Sequence, residues 1–455
     1  MNDTECSAKE LSFQPLKRRK VIARFDGGEL TSDGGLLLLR EVAQRTGLLD
    51  AFSACFADHR NPLLIQHEVQ ELIAQRIYAL ACGYEDLNDH DFLRNDPLLG
   101  AVVGKDDEQP IASKSTLNRL ELTEQDATHE TRYKKIVCNT DAVRRFFVQF
   151  FLDSQRHVPK QLILDLDATD FPLHGMQEGR FFHGYYGNYC YLPLYILCGD
   201  QLLAAELRPS NIDASLGSIS QLERIIPMLR ARYPHVRIIL RGDSAFAREE
   251  IMAWCEANRI DYLFGLARNE RLVQRIQNEL ELAELKFLKS GSASRVYREF
   301  SYRTLKSWSC SRRVIAKAEH LEKGSNPRFI VTSLSYKRES AMRLYEKWYC
   351  LRGDMENRIK EQLSLFADRM STHTMRANQI RLFFSSVAYL LIAHLRRTAL
   401  EHTELERAQV NTIRLRLLKI AAQVTRSVRR LLVSFASGYP WKELFQTAYW
   451  RIVQT

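Results

Sequence analysis

Acidic residues at three places in the chain have the types and positions that metal-dependent chemistry requires: Asp165 or Asp167, Asp243, and Glu356. Residues 162–170 alternate apolar and acidic side chains, which predicts a strand with Asp165 and Asp167 on one face. Asp243 ends a second apolar strand, and Glu356 lies in a stretch with helical periodicity. Carboxylates among apolar residues lose hydration and repel one another unless a cation neutralises them. The sequence therefore predicts a site for Mg²⁺ or Mn²⁺, because these hard ions prefer oxygen ligands.

Two metal ions held by such carboxylates can activate an attacking hydroxyl and stabilise the leaving oxygen of a phosphodiester. Each acid also has a structural explanation when it is taken singly. Asp165 could form a salt bridge, and Asp243 could begin a turn. Glu356 could pair with Arg352 or Lys360, which lie one helical turn before and after it. Their joint placement on two strands and one helix favours the metal site.

The chain is basic, with a net charge of +10 and a pI near 9.1. Most of the excess lies near the C-terminus, where residues 375–455 hold 13 lysines and arginines against 4 acidic residues. A predicted helix over 406–432 carries Arg426, Arg429 and Arg430. This concentration of charge favours a surface that binds a polyanion such as DNA over charge that only maintains solubility.

Two other classes of protein fit the sequence poorly. The nine cysteines are odd in number and widely scattered without a CxxC pair, so neither a disulfide framework nor a zinc ribbon is expected. The first residues contain no apolar signal core, and the longest apolar run, 382–395, is too short to span a bilayer. We expect a soluble intracellular protein without a membrane partner.

The order of predicted elements indicates an α/β fold with helical N- and C-terminal regions, because strands and helices alternate in the middle of the chain. Short strands between polar turns interrupt this pattern and predict an all-β insertion. The five predicted segments are a helical N-terminal domain (1–158), a first part of the α/β core (159–285), the insertion (286–336), a second part of the core with the Glu356 helix (337–398) and a basic helical region (399–455).

A capped helix over 113–121 is a candidate for DNA contacts in the N-terminal domain. It would expose Lys114 and Arg119, as the recognition helix of a helix-turn-helix unit does. Many capped surface helices have the same composition, so the alternative of an ordinary surface helix stays open.

The acidic segments resemble those of the DDE transposases of bacterial insertion sequences, and most of all insertion-sequence family thirteen-eighty. The resemblance covers most of the chain and is carried by residues 164–170, residues 241–246 and the pattern Tyr349-x2-Arg352-x3-Glu356. It implies an RNase-H-like catalytic core in which the β insertion lies between the second and third acids.

The resemblance also implies a role for each site residue. The first catalytic acid is the one in Asp-x-Thr, hence Asp167 rather than Asp165. Related transposases carry a lysine seven residues after the glutamate, whereas this chain has Leu363 there. Lys360 is the natural substitute.

By resemblance, the protein is a transposase that binds the terminal inverted repeats of its element, cleaves there and joins the 3′ ends to target DNA. Asp167, Asp243 and Glu356 would hold two Mg²⁺ or Mn²⁺ ions, and Arg352 and Lys360 would neutralise phosphate with Tyr349 beside them. A homodimer on DNA in the bacterial cytoplasm, associated with the nucleoid, is implied. The alternatives are an RNase-H-like nuclease without strand transfer and a catalytically inactive DNA-binding protein.

One tryptophan gives rise to a separate expectation. Trp308 lies in the polar turn 305–309 of the predicted insertion, beside several basic residues. It could pack on its own hairpin. In related transposases that form a DNA hairpin, however, an insertion-domain tryptophan stacks on a flipped base, and Trp308 would then contact DNA.

Overall fold

The computed structural model describes residues 10–105, 109–337 and 339–454. The chain forms two compact units. The sheet unit comprises Ala54–His59 and Glu121–Ala393, and the split unit comprises Met1–Ser53, Arg60–Leu120 and His394–Thr455. The long helix Met375–Ala399 crosses the boundary between them along the chain.

A mixed nine-stranded sheet forms the centre of the sheet unit. Its strands in chain order are β1 (Gln161–Ala168), β2 (Leu194–Cys198), β3 (Gln201–Glu206), β4 (Arg237–Gly242), β5 (Asp261–Leu266), β6 (Ser294–Tyr302), β7 (Arg312–Leu321), β8 (Gly324–Ser325) and β9 (Arg328–Thr332). The spatial order is β3-β2-β1-β4-β5-β9-β7-β6, with β8 paired to β7. Strands β1, β4 and β5 are parallel, and β2 is antiparallel to β1. The expectation of an α/β fold is confirmed.

The strands of the predicted insertion extend this sheet. Strand β9 pairs antiparallel with β5, and β7 then pairs with β9. The residues between 286 and 336 therefore share one hydrogen-bonded sheet with the acids. The helix Gln277–Ser290 runs into the start of this region, whereas an all-β insertion was predicted for residues 286–336.

Each face of the sheet has its own covering layer. Leu162, Leu164 and Leu166 of β1 pack in the core with helices α1 (Ser218–Arg232) and α2 (Glu249–Ala257). Further helices of the unit are α3 (Gln277–Ser290), α4 (Gly353–Leu363) and α5 (Met375–Ala399). On the opposite face, Ile239, Leu263 and Ile330 pack against Leu344 and Tyr345. The period-two alternation of β1 therefore turns its leucines towards the helical layer and its acids towards the other face.

Smaller elements complete the sheet unit. They are the paired strands Phe56–Asp58 and Ile136–Cys138, the three-stranded sheet of Phe171–Pro172, Asn188–Tyr191 and Phe181–His183, and the helices Thr140–Asp153 and Glu270–Gln274. Arg144 of the helix Thr140–Asp153 donates from Nε to Glu206 at the end of β3 over 2.8 Å. This helix is thus part of the sheet unit, whereas the predicted segment boundary at 158 assigned it to the N-terminal domain.

The split unit contains both helices and strands. Its helices are Leu36–Thr46, Leu48–Ser53, Val69–Cys82, His90–Leu93, Pro97–Val102, Val410–Ile413 and Lys442–Gln454, with Lys114–Leu122 at the boundary. Its strands are Leu11–Leu16, Arg19–Ala23, Leu30–Thr31, Ala422–Ser427 and Arg430–Phe435, and short 3₁₀ turns (Pro62–Leu64, Leu87–Asp89) and a π turn (Arg414–Leu418) join them. Over the described parts of the chain, no helix is long and apolar enough to cross a membrane.

The prediction of a helix over 406–432 is wrong for its second half. Residues Ala422–Ser427 and Arg430–Phe435 form an antiparallel hairpin that also pairs with Leu30–Thr31. Ala422 and Val424 are buried while Gln423 and Thr425 are exposed, which is the alternation of a strand. In the sequence, the arginines in and next to this strand (Arg426, Arg429 and Arg430) obscured the short alternating pattern.

Candidate active site

Asp167 and Asp243 lie at the same edge of the sheet because the strands that carry them are parallel neighbours. Asp167 is the penultimate residue of β1, and Asp243 directly follows β4. The register pairs Leu166 with Gly242, so the two acids leave the sheet at the same level. The Asp243 carboxylate accepts a hydrogen bond of 2.8 Å from the Ala245 amide and thereby caps a 3₁₀ turn.

The segment that carries Glu356 is less regular than the single helix predicted. It begins with one α turn (Ala341–Arg343), continues as a π turn (Leu344–Tyr349) and a 3₁₀ turn (Cys350–Arg352), and ends as α4. Glu356 lies in the first turn of α4. Mid-helix π turns are rare and occur often at functional sites, where they re-aim side chains.

Arg352 connects the first and third acids. Its Nη1 lies 3.3 Å from Oδ2 of Asp167, and its Nη2 lies 3.0 Å from Oε1 of Glu356. The Glu356 side chain is half exposed, whereas the Asp167 side chain is only 13% exposed. One guanidinium thus bridges two carboxylates that lie 189 residues apart along the chain.

The electrostatics of Asp167 reflect its crowded surroundings. Burial raises the pKa of Asp167 to about 7; Arg352 opposes the rise, and the charges of Asp243 and Glu356 add to it. Asp243 and Glu356 are therefore close enough to raise the pKa of Asp167. A nearby cation would favour the ionised form of Asp167.

Asp165 has a different environment, although it shares a strand face with Asp167. Both of its oxygens accept hydrogen bonds from Arg241 on β4, at 2.5 and 2.7 Å. Arg241 also donates to the Trp348 carbonyl over 2.5 Å. This buried pair joins the sheet to the segment that leads to Glu356.

The donor chemistry of the three acids fits a hard divalent cation, since all contribute carboxylate oxygens. Among the residues that the structure describes, no three His, Cys, Asp or Glu side chains gather closely enough to hold a metal as they lie. Arg352 holds two of the acids instead, so a bound cation would have to replace its guanidinium. Asp167, Asp243 and Glu356 are the residues that would hold such an ion.

Tyr349 packs beside Asp243 in a space that a glycine leaves open. A Cβ atom at Gly265 of β5 would lie 2.5 Å from the Tyr349 hydroxyl oxygen and 2.9 Å from the Ser244 amide nitrogen. Gly265 is a functional candidate that the sequence interpretation missed. Its signal was a glycine inside a strand, which often marks a close approach of another group.

The remaining residues predicted to contact DNA are distributed over both units. In the sheet unit, Lys360 is exposed on α4, one turn after Glu356. In the split unit, Lys114 pairs with Asp91 at 2.8 Å, and Arg119 lies on the same helix.

The C-terminal arginines also differ among themselves. Arg426 donates to the Pro97 carbonyl over 2.7 Å, whereas Arg429 and Arg430 are exposed at the turn of the hairpin. Of the three, the turn arginines are thus the better placed to meet a ligand.

Trp308 is buried, which agrees with the alternative that it packs on its own hairpin rather than with a contact to DNA. Its side chain is 4% exposed and belongs to the sheet core, edge-on to Tyr302 at 5.7 Å between ring centroids. Its amide donates to the Thr304 hydroxyl, and its carbonyl accepts from Arg303. The indole therefore packs on its own hairpin, and neither of its faces is open for stacking on a base.

Comparisons with known proteins show to which family the chain belongs. No curated protein matched the chain. A solved structure, the cryo-EM structure of a piggyBac transposase synaptic complex with hairpin DNA, is similar over 85% of this chain and 79% of that one, with 10% sequence identity and a TM-score of 0.39. The family model described as Transposase DDE domain group 1 matches residues 13–455. This match extends over nearly the whole sequence, and the chain therefore belongs to that family of DDE transposases.

Proposed function

We propose that this transposase binds the terminal inverted repeats of an insertion sequence, cleaves DNA there and joins the 3′ ends to target DNA. The observation that supports the proposal is that Arg352 bridges Asp167 and Glu356, while the charges of Asp243 and Glu356 both act on Asp167. The order β3-β2-β1-β4-β5, with β2 antiparallel, supports an RNase-H-like core for this chemistry.

The three carboxylates would hold two Mg²⁺ or Mn²⁺ ions, which supply an activated hydroxyl and stabilise the leaving oxygen. Arg352 would leave its carboxylate partners and become available to the phosphate at the cleaved bond. Lys360 is exposed one turn further along α4 and can neutralise the same backbone. Tyr349, held against Gly265, would fix the position of the Asp243 turn.

The positively charged surfaces of the split unit would hold the DNA outside the reacting bond. Arg429 and Arg430 are exposed at the hairpin turn, and the pair of Lys114 with Asp91 is exposed enough to exchange for a phosphate contact at little cost. We further propose a homodimer on DNA, because two element ends must be processed together, and a location in the bacterial cytoplasm at the nucleoid.

The experiment that tests this function is cleavage of linear duplexes that carry the inverted repeats flanking the coding region. We expect Asp167→Asn, Asp243→Asn and Glu356→Gln to lose Mg²⁺-dependent cleavage but to bind the ends as the wild type does. Asp354→Asn removes an exposed acid from the same helix and is the matched control, with cleavage retained. Cleavage without joined products would indicate a nuclease, and end binding without any cleavage would indicate an inactive DNA-binding protein.

A further inference from the structure

A cavity of about 530 Å³ opens directly beside Asp243. It lies where β4 and β5 end and where the turn before β9 meets the segment around Tyr349. We call it the Asp243 cavity; its lining includes Asp243, Gly265, Arg268, Arg328, Tyr345 and Tyr349. Its volume is in the range of about 300–1,000 Å³ that small-ligand pockets occupy.

Two arginines give the cavity its charge. Arg268 and Arg328 are exposed, and neither guanidinium forms a hydrogen bond or ion pair with any residue that the structure describes. Other arginines of the same sheet are committed to internal partners: Arg237 pairs with Asp261, and Arg241 pairs with Asp165. Two uncommitted guanidiniums that face one cavity indicate a site for an anion, since arginine matches phosphate oxygens in charge and geometry.

Part of the lining of the cavity is apolar. Pro327, Phe329 and Tyr345 line it and are buried. The rings of Tyr345 and Tyr349 are 5.7 Å apart between centroids. A cavity lined by both cationic groups and aromatic and aliphatic surface suits a ligand that joins a phosphate to an apolar body. A nucleotide of a DNA strand is such a ligand.

The position of the cavity restricts which nucleotide it can take. Asp243 is itself part of the lining, so a ligand inside lies within about one nucleotide of the proposed catalytic carboxylates. We propose that the Asp243 cavity binds the nucleotide next to the cleaved phosphodiester bond, with Arg268 and Arg328 holding the adjacent, uncleaved phosphate. This inference rests on the proposed function and adds a positioning subsite to it.

The test removes the charge first from the DNA phosphate and then from the two arginines. End-bearing duplexes are made with one methylphosphonate linkage, which is uncharged, at each position around the cut. Single-turnover cleavage is measured with the wild type and with the double variant Arg268→Gln/Arg328→Gln. We expect the wild type to lose roughly 10- to 100-fold in rate at one linkage next to the cut. The double variant should be slower by a similar factor on normal DNA, and insensitive to the change at that linkage.

Two controls exclude a general effect. Arg232→Gln removes an exposed arginine at the end of α1, outside the cavity, and should keep both the rate and the sensitivity of the wild type. Arg268→Lys/Arg328→Lys keeps the charge and should retain most of the rate. Exposed arginines without partners contribute little to folding, so the melting temperature should not change.

Three outcomes are decisive. The subsite is supported if a methylphosphonate at one linkage next to the cut slows the wild type but does not slow the glutamine variant. A glutamine variant that cleaves like the wild type, or that keeps the same sensitivity at every linkage, overturns it while leaving the proposed function intact. A wild type that does not cleave end-bearing DNA overturns the proposed function itself, and the subsite with it.

Discussion

Arg241 holds Asp165 in a buried two-point ion pair that joins strands β4 and β1. Their side chains are only 8% and 5% exposed, and the closest approach is 2.5 Å. Two residues along the same strand face, Asp167 contacts Arg352 at 3.3 Å, and within the described parts of the chain it forms no ion pair with a residue of the sheet. The two aspartates therefore differ in their contacts, and we propose that Asp165 supports the fold while Asp167 serves the chemistry.

We expect Asp165→Asn to lower the free energy of unfolding by about 3–5 kcal/mol, because Arg241 would remain buried without its counter-charge. Chemical denaturation of this variant and the wild type measures the difference. Asp167→Asn, two residues away, is the matched control and should not lose stability at neutral pH. An Asp165→Asn variant as stable as the wild type would show that the pair contributes nothing net.

The raised pKa of Asp167 predicts a pH dependence. Burial, first, and the neighbouring acids raise this pKa to about 7, above its unfolded value near 3.8. The folded state then holds a proton that the unfolded state releases, so the contribution of Asp167 to stability is full below about pH 4 and is lost as pH rises to 7. Without metal, the wild type should lose stability relative to Asp167→Asn as the pH rises from about 4 to 7. The difference in the free energy of unfolding should change by up to about 4 kcal/mol. Denaturation at pH 4.5 and 7.5 in a chelator measures this, and a constant difference would contradict it.

Much of the sheet could be predicted from the sequence, because its strands carry their own pattern. The alternation in 162–167 and the apolar run before Asp243 are short-range signals that burial on two faces imposes. The C-terminal hairpin could not be predicted in this way. Its strand Ala422–Ser427 is short, and it is stabilised by pairing with Leu30–Thr31, which lies about 390 residues earlier.

The residues of the candidate site likewise divide into those that a local sequence pattern marks and those that only the fold brings together. Asp167 and Asp243 could be proposed from the sequence because carboxylates at the ends of apolar strands are locally unusual. Arg268 and Arg328 were missed because nothing in their own segments marks them, and Gly265 carried only the general signal of a glycine inside a strand. They become notable only when β5 and β9 pair and bring residues 60 positions apart to one cavity.

Arg352 predicts a link between stability and divalent cations. In a chelator, Arg352→Gln should melt at a lower temperature than the wild type, because Asp167 and Glu356 lose their shared counter-charge. Added Mg²⁺ should raise the melting temperature of the variant more than that of the wild type, since the ion no longer competes with a guanidinium. Arg358→Gln, which removes a partner of Glu361 from the same helix, should respond to Mg²⁺ like the wild type. Equal responses in all three proteins would argue against Arg352 as the group that a cation replaces.

The hairpin arginines predict a change in salt dependence. Arg429→Gln/Arg430→Gln should flatten the log–log dependence of end binding on salt by about 0.9 for each phosphate that is no longer neutralised. Arg426→Gln is the comparison, because its guanidinium donates to the Pro97 carbonyl and its removal should affect stability more than the slope. Fluorescence anisotropy between about 50 and 200 mM salt covers the range in which such phosphate binding is resolved. An unchanged slope in the double variant would assign the turn arginines to solubility.

Gly265 predicts the most local effect. In Gly265→Ala the new methyl group would meet the Tyr349 hydroxyl at 2.5 Å and the Ser244 amide at 2.9 Å, so the turn that carries Asp243 must move. A displacement of about 1 Å can reduce a rate roughly 100-fold, and we expect a loss of this order in single-turnover cleavage with end binding unchanged. Adding Tyr349→Phe removes the closest contact and should restore part of the rate.

Gly353→Ala is the matched control. Gly353 lies at the start of α4 with no atom within 4 Å of its Cβ position, so this variant should cleave normally. If Gly265→Ala were as active as Gly353→Ala, the close packing of Tyr349 and Asp243 around this glycine would have no part in catalysis.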